Sequence, residues 1–496
     1  MSRTADNPSR RSPVTLESLD LAARPTETSP RTQMIAAGLT AIVLAMSAIA
    51  GLLYGPKWAE VVGAFGALPL LLCVPRLALY LSAALLPYPI GASSAIGAKL
   101  NFPIAEFLMF VGLAGTVVQG ASQSRRVPSG GITSPSGERR TNMRVIALCT
   151  APYALVGLAG ALHSTNAAAV FFRLSERLIL LVAIPAACGA CLYKSGLLKR
   201  YAQIFVASTA LSAVLWVAVG NGQAALGVDK NPAGQFLATS ILLLLFTDVA
   251  RRLRWPLILL QLGGLAATQS RGAVLGLAVG IVVVIALSPR RSRALIAAGA
   301  LAVVAASLLV VYPQAIVGRF LNESGDSLAT ANQRTLFRND ALTQYHATAP
   351  WGVGIGSYHA QDQALQNVAT PDPHNVLVFC LVEGGVALLI AFIIMVLGPA
   401  IYLFFKARIR SLVAVTLAVQ ASVMAHSMVD VYWVRNTPDA GWILVGAALA
   451  AAAATRSGQR PVGALTFPYP AIVQSRPTPA TFNAGPVSRS RLVVDE

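Results

Sequence analysis

Long apolar segments recur along the whole chain, and they limit its possible folds more than any other feature of the sequence. A helix that crosses the hydrocarbon core of a bilayer needs about 20 predominantly apolar residues. If the short early segments merge or are re-entrant, the total is about 12 spans. We therefore predict an all-α protein, a polytopic transmembrane helix bundle of about 12–14 spans. Hydropathy places fourteen candidate spans at residues 33–54, 58–75, 77–93, 103–120, 145–162, 176–193, 202–220, 233–250, 255–268, 272–288, 293–312, 375–405, 411–428 and 439–455.

Composition and charge support this interpretation. Only 12% of the residues are charged, about half the share typical of a soluble domain. The net charge is +18, which in a soluble protein would suggest nucleic acid. Here 28 of the 38 Lys and Arg residues lie on the side of the predicted topology that holds both termini. Positive charge is retained in the cytoplasm, so both termini are predicted to be cytoplasmic and no nucleic-acid partner is expected.

The predicted topology divides the chain into five segments. They are a disordered cytoplasmic N-terminal arm (1–32), a transmembrane bundle (33–312), a long periplasmic loop (313–374), C-terminal transmembrane helices (375–455) and a disordered basic cytoplasmic tail (456–496). A long loop in an otherwise compact protein is usually functional or disordered. This one contains enough apolar residues to pack, so we expect it to be partly helical and functional.

One helix is predicted inside the long loop. Residues 330–333 (TANQ) form a capping box, and a helix from about 331 to 347 should follow, ended by Pro350. Phe337, Ala341 and Tyr345 repeat at helical spacing and should form its buried face.

Five arginines are predicted to lie at the periplasmic face of the membrane. A group of guanidinium ions there suits an anionic ligand, and diphosphate is the natural candidate because arginine binds phosphate oxygens through two donors. The alternative is that these side chains extend to lipid headgroups. The five are Arg173, Arg177, Arg271, Arg334 and Arg338.

His374 is the candidate base. It precedes a long span and is predicted to occupy the first helical turn, where the positive end of the helix disfavours the protonated ring. Asp372 has the opposite effect, because a nearby negative charge favours the protonated ring of His374, or it orients the ring. Glu383 lies about two turns deeper, and it either serves the site or faces a polar interior.

Three motifs together resemble the O-antigen ligase family, which also includes many O-antigen and exopolysaccharide polymerases. Residues 268–273 (TQSRGA) resemble its Ser-Arg-Gly at a turn between spans. Residues 334–356 (RTLFRNDALTQYHATAPWGVGIG) resemble its arginine-bearing helix and glycine-rich turn. Residues 374–385 (HNVLVFCLVEGG) resemble its His-Asn segment with a following Glu-Gly. Arg338 stands where the family often has Trp, which makes Arg334 the better match for the functional arginine.

The resemblance implies a glycosyltransferase in the bacterial inner membrane with its active site on the periplasmic face. The donor would be a glycan on undecaprenyl diphosphate and the acceptor lipid A–core or a growing polysaccharide, with membrane lipids as surroundings. Arg271 and Arg334 would hold the diphosphate, His374 would activate the acceptor hydroxyl, and no metal or cofactor is implied. The predicted catalytic residues are thus His374, Arg334 and Arg271. The predicted substrate-binding residues are Arg338, Arg173, Arg177, Asn375 and Glu383.

Three alternatives remain open. Within the family, a ligase transfers the glycan to lipid A–core, a polymerase to another repeat unit and a related branch to a protein Ser or Thr, and the sequence does not separate them. A structural membrane partner in glycan assembly, with no chemistry of its own, is another alternative. A membrane transporter is the more distant alternative. It should have two symmetrical halves with broken spans and buried acidic residues for ion coupling, and the sequence indicates neither feature.

Overall fold

All regular elements in the described part of the chain are helices, as the hydropathy predicts. The computed structural model describes residues 71–88, 104–124, 136–162, 164, 167–219, 229–287, 326–359, 372–406, 410–430 and 437–456, with Ile42, Ala45, Met46, Ile49, Leu68 and Gly299. The predicted arm, the predicted tail beyond residue 456, and most of the spans at 33–54, 58–75 and 293–312 lie outside the described residues.

Thirteen α-helices and one π-helical segment follow one another in the described residues. They are α1 (Pro75–Leu85), α2 (Ile104–Ser124), α3 (Ser136–Ala161), α4 (Ala167–Ser175), the π-helical segment Glu176–Ala183, α5 (Ile184–Lys194), α6 (Leu198–Val219), α7 (Lys230–Phe246), α8 (Arg254–Thr268), α9 (Arg271–Leu287), α10 (Asp326–Thr348), α11 (Val376–Lys406), α12 (Arg410–Ser427) and α13 (Asp439–Arg456).

Several of these helices have the composition of membrane spans. Three are both long and apolar enough to cross a bilayer, at Arg144–Ala161, Leu198–Val219 and Val376–Phe405. Shorter apolar helices occupy Ile104–Gln119, Arg271–Leu287, Leu412–Ser427 and Asp439–Ala454. A polytopic helical bundle therefore accounts for the described helices.

Small residues allow the helices to approach one another closely. A side chain at Gly189 of α5 would meet the backbone of Ile443, and one at Gly446 of α13 would meet the backbone of Ala186. Without water to drive apolar contact, helices in a bilayer associate through such close packing. Helix α9 packs along α12 in the same way, with Gly276 against the backbone of Ser422.

The helix predicted inside the long loop is α10, and its bounds differ from the prediction at one end. It ends at Thr348, one residue from the predicted end, but it begins at Asp326 rather than at about 331. The capping box therefore does not start the helix. Phe337 and Ala341 are fully buried, as predicted, whereas Tyr345 is only partly buried.

Candidate functional site

The C-terminal end of α12 accepts hydrogen bonds from two other parts of the chain. Nδ2 of Asn375 donates to the carbonyl oxygen of Met428 at 2.9 Å, and Nη1 of Arg334 donates to that of Val429 at 3.3 Å. Both carbonyls lie in the turn that directly follows Ser427, the last residue of α12. Thus α10 and the start of α11 converge on this end of α12.

His374 lies at the same place and pairs with a carboxylate. Its Nδ1 lies 3.0 Å from Oδ1 of Asp430, three residues beyond the end of α12. An ionised carboxylate only accepts hydrogen bonds, so the proton is assigned to Nδ1, and Nε2 is left as the basic nitrogen. The ring packs 6.0 Å from that of Phe337, and 22% of the side chain remains exposed. His374 can therefore take up a proton from a molecule bound beside it.

Asp430 is held in its ionised form. Burial by itself raises the pKa of this carboxyl group, but the contacts with His374 and His426 and the positive charge of Arg334 outweigh it and hold the pKa below its ordinary value. An ionised partner at Nδ1 fixes the tautomer of His374. The pair thus has the arrangement of a general base with an orienting carboxylate.

The backbone around His374 corrects one prediction. His374 does not occupy the first turn of the helix, because α11 begins at Val376. Asn375 caps the helix: its Oδ1 accepts hydrogen bonds from the backbone N–H groups of Leu377 and Val378, at 2.9 and 3.2 Å. His374 has a left-handed backbone with φ of 49°, which directs the ring sideways towards α12 rather than along α11.

Asp372 supports this unusual backbone. Its Oδ1 accepts a hydrogen bond from the backbone N–H of His374 at 3.1 Å. Burial raises the pKa of Asp372 to about 7, although the neighbouring His374 acts to lower it. The group therefore changes its charge near neutral pH, directly beside the candidate base.

A second histidine contacts the other side of Asp430. Nε2 of the fully buried His426 lies 3.7 Å from Oδ2 of Asp430, and its Nδ1 lies 3.1 Å from Oε1 of Gln235. Nε2 of Gln235 in turn donates to Oγ of Ser422 at 3.0 Å. This buried polar network joins α7 and α12 and fixes the position of Asp430 behind His374.

Arg334 faces this cluster from α10. It donates one hydrogen bond, to the Val429 carbonyl, and among the described residues its buried Nε has no acceptor. A guanidinium group has five N–H donors in a planar fork. Arg334 therefore keeps donors for an anion that would bind beside His374.

Arg271 approaches the cluster from the start of α9. Ser270 caps this helix, since its Oγ accepts a hydrogen bond from the backbone N–H of Ala273 at 3.3 Å. Arg271 is the first helical residue and is exposed. The next residue, Gly272, lies so close to the ring of His426 that a side chain there would collide with it. The turn predicted to carry Arg271 thus lies directly against the His374–Asp430–His426 cluster.

Arg177 and Glu383, both predicted to bind substrate, contact each other instead. Nη2 of Arg177 donates to Oε1 of Glu383 at 3.0 Å, and Nη1 forms a second, shorter bond to Oε2. Glu383 is fully buried, and Arg177 is 7% exposed. Two buried groups that neutralise each other have little capacity left for a ligand, so this geometry favours an architectural role.

The remaining predicted substrate-binding arginines are exposed. Arg173 forms a surface ion pair with Glu176 at 2.8 Å. Arg338 lies one turn beyond Arg334 on α10 and points to the exterior. Their roles stay predictions.

Sequence reasoning missed two residues of the cluster, Asp430 and His426. The two residues are four apart in the sequence, at the end of the predicted span 411–428. Two polar residues on one face of an apolar helix were the available signal. Their contact with His374 could not be inferred from spacing, because Asp430 is 56 residues away along the chain.

A buried acidic pair also contradicts the sequence analysis, which indicated none. Glu106 at the start of α2 and Asp439 at the start of α13 are both fully buried, and their carboxyl groups interact. Two carboxyl groups in contact away from water cannot both be ionised at low cost. The sequence analysis argued against a transporter because it indicated neither symmetrical halves nor buried acidic residues. The second of these two reasons no longer holds.

Comparison with known proteins matches the region that holds His374, Arg334 and Arg271. A comparison with curated proteins finds no match. The family model described as O-antigen ligase matches residues 256–393, a range that includes Arg271, Arg334 and His374. The match and the apolar helices together indicate an integral membrane protein. Residues 256–393 are therefore similar to the O-antigen ligase family, and this match confirms the resemblance that the three motifs predicted.

Proposed function

We propose that this protein is a glycosyltransferase of the O-antigen ligase type. It would transfer a glycan from undecaprenyl diphosphate to a hydroxyl group of lipid A–core, at the periplasmic face of the bacterial inner membrane. The observation that carries the proposal is the hydrogen bond between His374 and the ionised Asp430, with Arg334 beside it. A base and an arginine with unused donors at one place suit a reaction that removes a proton and releases an anion.

In the proposed reaction His374 acts as the general base. Nε2 takes the proton of the acceptor hydroxyl as its oxygen attacks the anomeric carbon of the glycan. The bond from that carbon to the phosphate oxygen breaks, and its electron pair leaves with the diphosphate. Direct attack inverts the anomeric carbon. Asp430 stabilises the protonated His374 ring, and the transfer needs no metal ion or cofactor.

Arg334 and Arg271 would stabilise the leaving diphosphate. Charge that develops on a leaving group is often the largest contribution that an active site can make to catalysis. Arg334 is held against the Val429 carbonyl, so its orientation is fixed before the donor binds. Arg271 stands at the N-terminus of α9, where the helix also favours negative charge.

A groove beside the cluster fits the lipid part of the donor. It has a volume of about 530 Å³, lies between α9, α11 and α12, and is apolar apart from Gln420. One end is formed by Met428, whose carbonyl accepts the hydrogen bond from Asn375. An isoprenoid chain in the groove would thus continue from a diphosphate held at Arg334. The apolar lining includes Val283, Ala400, Phe404, Ala421, Met424 and Met428.

Filling this groove should weaken binding of the lipid-linked donor. We expect Val283→Phe to raise the KM for the donor by about 10-fold and to change kcat by less than about 2-fold, because added bulk displaces the chain without touching His374. The matched control is Val282→Phe, since Val282 is the preceding residue of α9 and is 64% exposed outside the groove. Equal KM values for the two variants would contradict a lipid-binding groove.

The buried Glu106–Asp439 pair is the observation that favours the transporter alternative, because ion-coupled carriers use buried acidic residues. We retain the glycosyltransferase as the main proposal. The matched domain contains the candidate base and both candidate diphosphate ligands, whereas the acidic pair lies outside it.

The surface glycans of a deletion strain test the proposal. Lipopolysaccharide would be resolved on a gel, and the undecaprenyl-linked pool would be analysed in parallel. Long chains stranded on undecaprenyl diphosphate, with bare lipid A–core, are the expected result and identify a ligase. Single repeat units on the core, or loss of an exopolysaccharide, would identify a polymerase. Unchanged glycans, together with solute uptake into vesicles that depends on this chain, would contradict a glycosyltransferase and favour a transporter.

A further inference from the structure

We propose that the buried Arg177–Glu383 ion pair is a positioning element that fixes the distance between Arg334 and His374. It would do so by holding the glycine-rich segment 350–356, which follows α10, in a break of α11. This inference rests on the proposed function, because it assigns the pair a role in arranging those two residues for transfer.

The break of α11 is the first part of the argument. Two residues inside the helix have non-helical backbones, Gly384 with φ of −147° and Gly385 with φ of 68°. A break leaves the preceding carbonyl groups without partners inside the helix. Here the segment after α10 supplies those partners: Val353 donates its N–H to the carbonyl of Val382, and Gly354 donates to that of Glu383, both at 2.8 Å.

Glycine is required on both sides of this contact. Gly385 lies against the carbonyl oxygen of Pro350, and Gly352 lies against the carbonyl oxygen of Val382. A side chain at either position would collide with backbone, and both residues have positive φ, at 68° and 76°. The glycines of the segment and of the break thus allow two backbones to meet directly.

Glu383 extends this contact with its side chain. Oε1 accepts a hydrogen bond from the backbone N–H of Gly356 at 2.7 Å, in addition to the bond from Arg177. Arg177 comes from the π-helical segment, donates to the hydroxyl group of Tyr153 at 3.1 Å, and lies 4.9 Å above the ring of Phe379. One ion pair therefore joins four parts of the chain: α3, the π-helical segment, the glycine-rich segment and α11.

Stability alone is a weak reason for such a pair. Removing two charges from water is costly, and well-packed apolar residues often replace a buried ion pair without loss of stability. A pair that also holds a backbone N–H in place contributes to geometry instead. The ion pair should therefore affect the relative position of the elements that it joins.

Those elements position the candidate diphosphate ligand Arg334 and the candidate base His374. Arg334 lies on α10, which ends two residues before the glycine-rich segment, and His374 lies two residues before α11. Between the site and the break, Ala341 of α10 and Val382 of α11 belong to one buried cluster, and Phe337 of α10 packs on the ring of His374. If the segment leaves the break, α10 loses its fixed end and Arg334 can shift relative to His374. A misplacement of about 1 Å can lower a rate by about 100-fold.

The test compares single and double substitutions in the purified full-length protein. Arg177→Met alone leaves Glu383 buried and unpaired, so we expect a lower melting temperature and less folded protein. The double variant Arg177→Met/Glu383→Leu removes both charges and should recover the wild-type melting temperature. Its kcat should stay about 10-fold lower, with the KM for the lipid-linked donor within about 2-fold, because positioning acts on the transition state.

Two further measurements keep this test independent of folding and of the proposed function. Hydrogen exchange at residues 353–356 should be faster in the double variant than in the wild type. Glu383→Gln keeps an oxygen acceptor for Gly356, so its exchange there should stay slower than that of the double variant. The control is Lys199→Met/Asp248→Leu, which removes an ion pair of 2.7 Å away from the site and should leave kcat and this exchange unchanged.

The outcomes separate the two proposals. Wild-type kcat and unchanged exchange in the double variant would overturn the positioning role and leave the pair purely structural. A raised donor KM with unchanged kcat would overturn it in favour of substrate binding. If the wild-type protein transfers no glycan from any undecaprenyl-linked donor, the proposed function fails, while the exchange measurement still decides whether the pair holds the segment.

Discussion

His374→Ala should lower glycan transfer by about 10²- to 10⁴-fold, the usual contribution of a positioned general base. The variant should still insert and fold, because the ring is partly exposed and α11 is capped by Asn375 rather than by His374. The loss should appear in kcat, since the proton is removed from the acceptor in the transition state. Transfer would be measured with purified protein, lipid A–core and an undecaprenyl-linked glycan.

The matched control for this experiment is His359→Ala. His359 is exposed and belongs to the same region of the chain, and within the described residues its hydrogen bond is made by its backbone carbonyl, which accepts from Gln344. This variant should keep wild-type activity. The activity of Asp430→Asn should fall between those of His374→Ala and His359→Ala, because Nδ1 of His374 would lose its ionised partner while the ring stays in place. A His374→Ala variant with full activity would contradict the assignment of the base.

Arg334→Ala should lower kcat by about 10²- to 10³-fold, the effect of removing one preorganised donor to a developing negative charge. Arg334→Lys should recover only part of this loss, because an ammonium group provides charge without the planar pair of donors. Folding should be retained, since the side chain makes one hydrogen bond to the described residues, with the Val429 carbonyl. Steady-state kinetics with varied donor concentration would measure both effects.

Arg338→Ala provides the comparison for this prediction. Arg338 lies on the same helix but is exposed, so its removal should leave kcat within about 2-fold of the wild type. A raised donor KM in this variant would identify Arg338 as an additional phosphate ligand, and unchanged kinetics would make it a surface residue. Equal losses of kcat for Arg334→Ala and Arg338→Ala would contradict the specific role of Arg334.

Hydropathy and motif spacing determined much of the described fold and part of the site. The apolar segments predicted the helices because a membrane allows few other structures for backbone groups without water. Helical spacing predicted the buried face of α10 at Phe337 and Ala341. The motifs predicted the family whose model matches residues 256–393, and they named three residues, Arg271, Arg334 and His374, that the fold brings to the end of α12.

Tertiary structure alone decided which side chains meet. Asp430 is 56 residues from His374, and Glu383 is 206 residues from Arg177, so no local pattern could pair them. For the same reason, the sequence indicated no buried acidic pair, although Glu106 and Asp439 meet in the structure. Local backbone preferences and hydropathy act over a few residues and can be interpreted from the sequence. Contacts between distant polar groups depend on how whole helices pack, because burial makes each such group require a partner wherever the fold provides one.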